Sequence, residues 1–137
     1  MKEFNVKIIE ADNTFYSGKM TSLIVPTIDG EYGVLADHQN LVVAIIPGAL
    51  KFMDAEEKWQ EASVSDGMMR VEDGEVLILV DAAEWPYEID AERVRQKEAA
   101  AREAMLQKKS VREYTLAEAS LKRAISRLKI KDGDHMG

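Results

Sequence analysis

The sequence of 137 residues contains no cysteine. That absence excludes a disulfide framework, a thiolate metal site and a cysteine nucleophile. It has two histidines, His38 and His135, separated by nearly the whole chain, so a metal site or triad built on histidine is not expected. The patterns GxxxxGK[ST], GxGxxG, HExxH and GxSxG are absent as well. We therefore expect no metal and no required cofactor.

Long apolar runs are also missing. The longest is Leu41–Ile46, far shorter than the roughly 20 residues that a membrane-spanning helix needs. Residues 1–7 lack the basic and then apolar order of a secretory signal. We expect neither a signal nor a membrane span, so that any membrane association arises through partners.

Positive charge is scarce in the first two thirds of the chain. Residues 1–88 carry 6 Lys/Arg against 17 Asp/Glu, a formal charge of −11, whereas residues 89–131 carry 12 against 6, a charge of +6. The net charge of −7 argues against nucleic acid as a partner, because phosphates require a basic surface. Two segments of opposite charge are expected to meet different partners, or each other.

Short apolar segments separated by turn dipeptides such as Asp29-Gly30 and Asp73-Gly74 fill residues 4–81. Their even spacing predicts an antiparallel β-sandwich or barrel, since parallel pairing needs long helical crossovers that the pattern lacks. The predicted strands are Phe4–Ile9, Leu23–Val25, Leu41–Ile46, Ala49–Met53, Trp59–Val64, Met68–Val71 and Val76–Val80.

The pattern changes at Trp85-Pro86, after which glycine disappears until Gly133 and helix-forming residues dominate. Two helices are predicted. The first is capped by Asp90 and runs to about Leu106. The second begins at a capping box on Ser110 or on Thr115, each followed three residues later by glutamate. Residues 108–110 form the expected hairpin tip.

The helices are expected to form an antiparallel hairpin with an alanine-rich seam. Alanine contacts bury little apolar area, so the hairpin is expected to be held closed only weakly and to be able to open. The seam positions are Tyr114, Ala117, Leu121, Ala124 and Leu128 on the second helix, facing Ala99, Ala100, Ala101 and Ala104 on the first. The predicted organisation is a β-sandwich at residues 1–87, a helical hairpin at 88–131 and a flexible tail at 132–137.

Two groups of residues suggest binding or chemistry. Residues 30–33 and 36–40 have the flexible, polar composition of binding loops, and His38 beside Asp37 is either a general base or a surface histidine. Arg123 and Arg127 are one helical turn apart, which suits bidentate contact with phosphate or carboxylate oxygens; solvated surface charge is the alternative.

The chain resembles the epsilon subunit of the bacterial-type F-type ATP synthase, the counterpart of the mitochondrial delta subunit. The resemblance covers nearly the whole chain and rests on the order and spacing of several short segments. It departs from the usual pattern at Ala36-Asp37, where Pro-Gly is common, and at Asp66, where a second glycine is usual. The segments are Phe15–Gly18, Gly30–His38, Leu41–Gly48 and Ser65–Gly67, followed by an Ala/Arg-rich hairpin.

The resemblance implies a sandwich of about ten strands with a C-terminal helical hairpin, in a non-catalytic subunit of the central stalk. Such a subunit binds the gamma subunit and rests on the c-subunit ring, with Glu31 and His38 near the polar loops of the ring. It couples gamma to the ring for proton-driven ATP synthesis. The implied location is peripheral, on the cytoplasmic face of the bacterial plasma membrane.

The resemblance also implies a regulatory hairpin. In the family it alternates between a folded form and an extended form that reaches the alpha and beta subunits of the catalytic head and blocks ATP hydrolysis. Some members bind ATP as a regulatory ligand through Ile-Asp-x-x-Arg-Ala, which here ends in Val94, and one arginine of their pattern falls on Ala100, near Arg102. The implied nucleotide-binding residues are Glu84, Ile89, Asp90, Arg93, Arg123 and Arg127.

Two alternatives remain open from the residues. A free-standing ATP-sensing domain predicts tight nucleotide binding without a gamma-like partner. A small hydrolase using Asp37 and His38 predicts activity of the isolated chain, although no third catalytic group or oxyanion site is visible.

Overall fold

The computed structural model describes residues 2–107 and 111–132, with the backbone alone for Gln107 and residues 111–114. These residues form two compact units that divide between Glu84 and Trp85. The first unit contains nine strands: β1 Phe4–Glu10, β2 Asn13–Thr27, β3 Gly30–Val34, β4 Leu41–Ile45, β5 Gly48–Asp54, β6 Trp59–Val64, β7 Gly67–Glu72, β8 Glu75–Val80 and β9 Ala83–Glu84.

The strands form a β-sandwich whose two sheets share β2. The first sheet has the order β4, β7, β8, β1 and the N-terminal part of β2, and the second has β3, the C-terminal part of β2, β5, β6 and β9. The pairing of β2 with β5 shifts register between Met20 and Ser22. A bulge of this kind bends a strand, which allows one chain segment to serve both sheets.

The core lies between the two sheets. Alternate residues are buried in both, such as Val6 and Ile8 on β1 and Leu50 and Phe52 on β5. The ring of Tyr16, which β2 carries in the first sheet, packs at 4.9 Å between centroids against Phe52 of the second sheet. The predicted sandwich is confirmed.

One strand prediction was too short, and two strands were not predicted. The segment Leu23–Val25 is the end of a strand of 15 residues, Asn13–Thr27. Gly30–Val34, interpreted as part of a binding loop, is a strand paired with β2, and Ala83–Glu84 was not predicted. These polar or glycine-containing segments have little strand propensity of their own; the ladder with a neighbouring strand determines their conformation.

The exclusion of parallel pairing was wrong at one place, because β1 and β8 pair in parallel from Val6 with Val76 to Glu10 with Val80. The two strands come from opposite ends of the first unit. The chain between them forms strands β2 to β7 of both sheets, and these supply the long crossover that a parallel pair needs without a helix.

The second unit begins with a 3-10 turn at Pro86–Glu88 and continues with α1, Ala91–Gln107, and α2, Val111–Asp132. The predicted cap of α1 is confirmed, since Asp90 Oδ1 accepts the amide hydrogen of Arg93 at 3.2 Å. The two helices pack together and are separated by three residues, so they run antiparallel.

The cap predicted at Thr115 is wrong because that residue lies inside α2. Residues 108–110 and 133–137, which include the predicted tip, Ser110 and most of the predicted tail, lie outside the described residues.

The helical seam differs from the prediction on α1. Val94 and Ala101 are buried and Glu98 is half-buried, which gives a stripe at steps of four and three, while Ala99, Ala100 and Ala104 are exposed. Alanine is too weakly apolar to reveal which helix face is buried, and Val94 determines that face. On α2 the predicted positions Ala117 and Ala124 are buried and Leu121 and Leu128 are half-buried, whereas the side chain of Tyr114 lies outside the described residues.

Candidate functional site

The loop after β3 holds His38 by both ring nitrogens. Nε2 lies 2.9 Å from the hydroxyl oxygen of Tyr32, and Nδ1 lies 2.8 Å from the main-chain oxygen of Gln39. A carbonyl oxygen only accepts, so in the neutral ring Nδ1 carries the hydrogen and Nε2 accepts from the Tyr32 hydroxyl. The two rings meet edge to face at 5.7 Å. The imidazole is therefore fixed in one orientation at the surface.

Asp37 does not serve His38 as a catalytic partner. Its carboxylate pairs with the Lys2 ammonium at 2.6 Å, and both side chains are 70% exposed. Its φ of 62° lies in the left-handed region, where Asp is one of the more tolerant residues and glycine is favoured. Because both nitrogens of His38 are engaged with other groups, the geometry argues against the hydrolase hypothesis.

Glu31 lies on β3 and carries an ion pair of its own. Lys51 Nζ donates to Glu31 Oε2 at 3.3 Å, with the Glu31 side chain 60% exposed and that of Lys51 17% exposed. Adjacent residues of a strand point to opposite faces, so Glu31 and the Tyr32–His38 pair lie on opposite sides of β3. The structure places both predicted contact residues on β3 and the loop after it, with their side chains directed to different sides.

The outer face of the first sheet carries an apolar surface that the sequence analysis missed. Cross-strand pairing aligns Ala44, Met68, Leu79 and Ile9 in one row over four strands. Its exposed side chains include Val42 at 64%, Met68 at 37% and Leu79 at 38%. We call this surface the outer patch, formed by Ile9, Val42, Ala44, Met68, Leu77 and Leu79. Its signal in the sequence was the continuous apolar composition of residues 41–46 and 76–80, which indicates strands that are apolar on both faces.

The predicted nucleotide-binding residues lie on several elements. In the second unit, Ile89 is buried, Arg93 is exposed, and Arg123 and Arg127 are half-buried one turn apart on α2. The Asp90 carboxylate is engaged as the cap of α1. Glu84 belongs to the first unit, at the end of β9 opposite Ser63.

The substitute considered for the missing arginine is already engaged within α1. Arg102 Nη2 and Nε donate to Glu98 Oε1 at 3.0 and 3.2 Å. The guanidinium therefore has a partner one turn away on its own helix, and Ala100, where the family pattern has arginine, is exposed.

Sequence reasoning also missed a buried acid, Glu61 on β6, which is 7% exposed. Burial raises the pKa of Glu61 to about 7, and the positive charge of Lys51 opposes that rise. Lys51 faces Glu61 directly across the β5–β6 ladder. The sequence showed a single glutamate in a strand with one polar face, which did not distinguish it from an exposed side chain.

A β-sandwich unit followed by an antiparallel pair of helices defines the class of protein. The family model described as ATP synthase, Delta/Epsilon chain, beta-sandwich domain matches residues 3–86, and the one described as the long alpha-helix domain matches residues 88–132. The chain belongs to this ATP synthase delta/epsilon family. The predicted family is confirmed.

Relatives named ATP synthase epsilon chain cover nearly the full length. That of Caldanaerobacter subterraneus subsp. tengcongensis is 41% identical over 94% of each chain, and that of Caldicellulosiruptor bescii is 36% identical over 96% of each. Epsilon chains are non-catalytic subunits, so the loop after β3 belongs to a subunit without an active site of its own. None of the described helices is both long and apolar enough to cross a membrane.

Solved structures share the fold. A chain in the structure of Euglena gracilis mitochondrial ATP synthase, OSCP/F1/c-ring, superposes with a TM-score of 0.82 at 23% identity, covering 98% of this chain and 82% of that one. A chain from the central stalk/c-ring of Tetrahymena thermophila mitochondrial ATP synthase gives 0.65 at 12% identity, covering 95% and 97%.

Proposed function

We propose that the chain acts in the central stalk of the ATP synthase, where its first unit couples the gamma subunit to the c-subunit ring. The outer patch is the observation that carries this proposal, because an apolar sheet face of several contiguous residues on a soluble unit is typical of a protein interface. The family membership and the central stalk and c-ring named for the related structures support a stalk location for this unit, and gamma is the stalk partner that the sequence resemblance implies.

The test is binding of the full chain to purified gamma subunit. Val42→Glu together with Met68→Glu places two charges on the outer patch without changing the inward residues of β4 and β7, and we expect at least about tenfold weaker binding. Leu116→Glu is the matched control, an exposed apolar residue of α2 at 61% exposure. Equal affinity of the patch variant and the control would refute this interface.

The contact with the ring is proposed at Glu31 and His38. The ordering of both side chains supports it: Lys51 holds Glu31, and Tyr32 with Gln39 holds His38, so little side-chain entropy remains to be lost on docking. Cysteines introduced at positions 31 and 38 should crosslink to the polar loop of the c subunit in the assembled enzyme. Crosslinking that is no greater than from a cysteine at exposed Glu56, on the β5–β6 turn, would argue against this contact.

The second unit is proposed to be the regulatory hairpin, residues 88–131, which extends to the alpha and beta subunits and inhibits ATP hydrolysis. The charge of +6 over residues 89–131 supports the proposal, since acidic surfaces of a partner attract this segment. Locking α1 to α2 by an engineered disulfide should then raise ATP hydrolysis by the assembled complex, and reduction should restore inhibition.

The whole subunit is proposed to lie at the cytoplasmic face of the plasma membrane, bound through its partners.

ATP is proposed as the ligand that stabilises the folded hairpin, through Glu84, Ile89, Asp90, Arg93, Arg123 and Arg127. The half-buried pair Arg123 and Arg127 supports it, because partial burial strengthens a guanidinium–phosphate contact. A ligand specific for the folded form stabilises it by about 2.7 kcal/mol at a hundredfold excess over Kd. Calorimetry should show that Arg127→Ala weakens ATP binding and that Arg102→Ala does not. If the chain binds ATP tightly but does not bind gamma, the result would instead favour a free-standing ATP-sensing domain.

A further inference from the structure

Lys51 stands between two carboxylates that differ sharply in exposure. On one side it donates to Glu31, which is 60% exposed, at 3.3 Å. On the other side it is the directly opposed residue of Glu61 in the β5–β6 ladder, where opposed side chains start about 5 Å apart. Its own side chain is 17% exposed, so solvent screens its charge only partly.

The charged neighbours of Glu61 in the sheet are few. From β5 Lys51 faces it, and from β9 Glu84 lies diagonally, because Glu84 is opposed to Ser63 on the same outward face of β6. The remaining outward residues of β6, Trp59 and Ser63, carry no charge. Lys51 is therefore a cation of this sheet whose charge acts on Glu61, and Glu31 draws on the same ammonium group.

We propose that Lys51 is a shared cation that links the exposed Glu31 to the buried Glu61. A cationic group of a docked protein, an arginine or lysine, that binds Glu31 leaves Lys51 with Glu61 as its remaining anion. The contact is thereby transmitted from β3 past β2 to β5 and β6. This link operates within the first unit alone, so it is independent of which subunit docks at Glu31.

The burial of Glu61 makes this link effective. A carboxyl group with a pKa near 7 changes its charge state at physiological pH when the local field changes modestly, whereas an exposed glutamate would stay ionised throughout. Contact at Glu31 would then change proton binding at Glu61 as well as local charge.

The experiment is a carboxyl-carbon NMR titration of Glu61 in the full chain carrying labelled glutamate. Glu31→Gln imitates a neutralised Glu31, and we expect it to lower the pKa of Glu61 by roughly 0.5 to 1 unit. The matched control is Glu72→Gln, which removes the acid of a comparable exposed pair, Arg70–Glu72 at 3.3 Å, on the other sheet and should leave the pKa unchanged.

The double variant separates this link from a direct field effect. In a Lys51→Met background, Glu31→Gln should shift the pKa of Glu61 by less than half as much as in the native background. An equal shift in both backgrounds, or no shift in Glu31→Gln alone, would overturn the proposal. Because Glu31 is exposed, the single variant should fold normally. If Lys51→Met does not fold, Lys51→Gln supplies the uncharged background for the same comparison.

Discussion

Thr21 is the residue at which β2 passes from one sheet to the other, and its hydroxyl is buried. Within the part of the chain that the structure describes, Oγ1 of Thr21 has no hydrogen-bond partner, and the residue is 3% exposed. A β-branched side chain suits the bent strand, but an unpaired buried hydroxyl costs free energy. The stability of the unit is therefore below its maximum at this position.

Thr21→Val should raise the free energy of unfolding by about 1 kcal/mol, because it replaces the unpaired hydroxyl with a methyl group of similar size. Urea unfolding followed by circular dichroism measures the change. Thr14→Val, at an exposed position of the same strand, is the control and should alter stability by less than about 0.5 kcal/mol. A loss of stability in Thr21→Val would mean that the hydroxyl has a favourable role in the bend.

Glu61 should make stability depend on pH in an unusual direction for a carboxyl group. Its folded pKa is raised from 4.5 to about 7, so the folded chain binds more protons than the unfolded chain between these values. Stability from this group is greatest below about pH 4.5 and falls as pH rises to about 7, by about 1.4 kcal/mol for each unit of raised pKa. The contribution of Glu61 is isolated by measuring the free energies of unfolding of Glu61→Gln and of the native chain at pH 5 and pH 8. The stability of the native chain relative to the variant should be greater at pH 5 than at pH 8. A constant difference would show that the acid does not titrate in this range.

At the scale of elements, the backbone at the start of β7 lies very close to the backbone of β8. A Cβ at Gly67 would lie 2.0 Å from the main-chain oxygen of Leu79, which belongs to the neighbouring strand β8. The family resemblance identified Ser65–Gly67 as a motif, and this approach supplies the physical reason for its glycine.

Gly67→Ala should disrupt the β7–β8 pairing and cost more than about 3 kcal/mol, or prevent folding, because backbone atoms must move apart. Gly33→Ala is the matched control, since nothing lies within 4 Å of its added Cβ. Thermal unfolding and the yield of folded protein are the measurements. Similar midpoints for the two variants would contradict the role given to Gly67.

The helical unit buries large apolar residues just after the 3-10 turn, near the start of α1 and near the end of α2. Ile89, Val94 and Ile130 are 1–3% exposed, whereas Leu106 and Leu116, closer to the α1–α2 connection, are 76% and 61% exposed. Lys131 adds a hydrogen bond of 3.4 Å to the main-chain oxygen of Pro86. Stability within the hairpin is therefore concentrated away from the connection.

Ile130→Ala should cost about 2 to 4 kcal/mol, whereas Leu116→Ala should cost less than about 0.5 kcal/mol. Hydrogen exchange of the α1 and α2 amides in the full chain reports the difference. Faster exchange in Leu116→Ala than in Ile130→Ala would show that the region near the connection determines closure.

Sequence periodicity was sufficient for elements whose side chains alternate or repeat strongly. Phe4–Glu10 and Trp59–Val64 were predicted nearly to their ends, as was α1 with its Asp90 cap. Periodicity was not sufficient where pairing with a neighbouring strand determines the conformation, as in the polar half of β2, the glycine-containing β3 and the parallel β1–β8 pair. The outer patch and the burial of Glu61 depend on which strands become neighbours, and single-strand composition does not contain that information.

At the scale of the molecule, the first unit contains every strand partner that its sheets use, from Phe4 to Glu84. No described strand needs a residue of the second unit to complete its ladder. The strand ladders of the first unit are thus complete within that unit.

A chain ending at Pro86 should fold and bind gamma with an affinity within about threefold of the full chain, because the outer patch and its sheet are intact. Amide NMR spectra and the gamma-binding assay are the measurements. An unfolded product, or one that binds gamma more than about tenfold more weakly, would show that the helices are required for the sandwich or its interface.

The strand shared by both sheets has a mechanical consequence. Where the chain passes between the two layers of a sandwich only through loops, the layers can shear by small sliding motions, but here one continuous strand belongs to both layers. Torque delivered to one layer is resisted by bond angles as well as by packing. We expect such a unit to twist little under load.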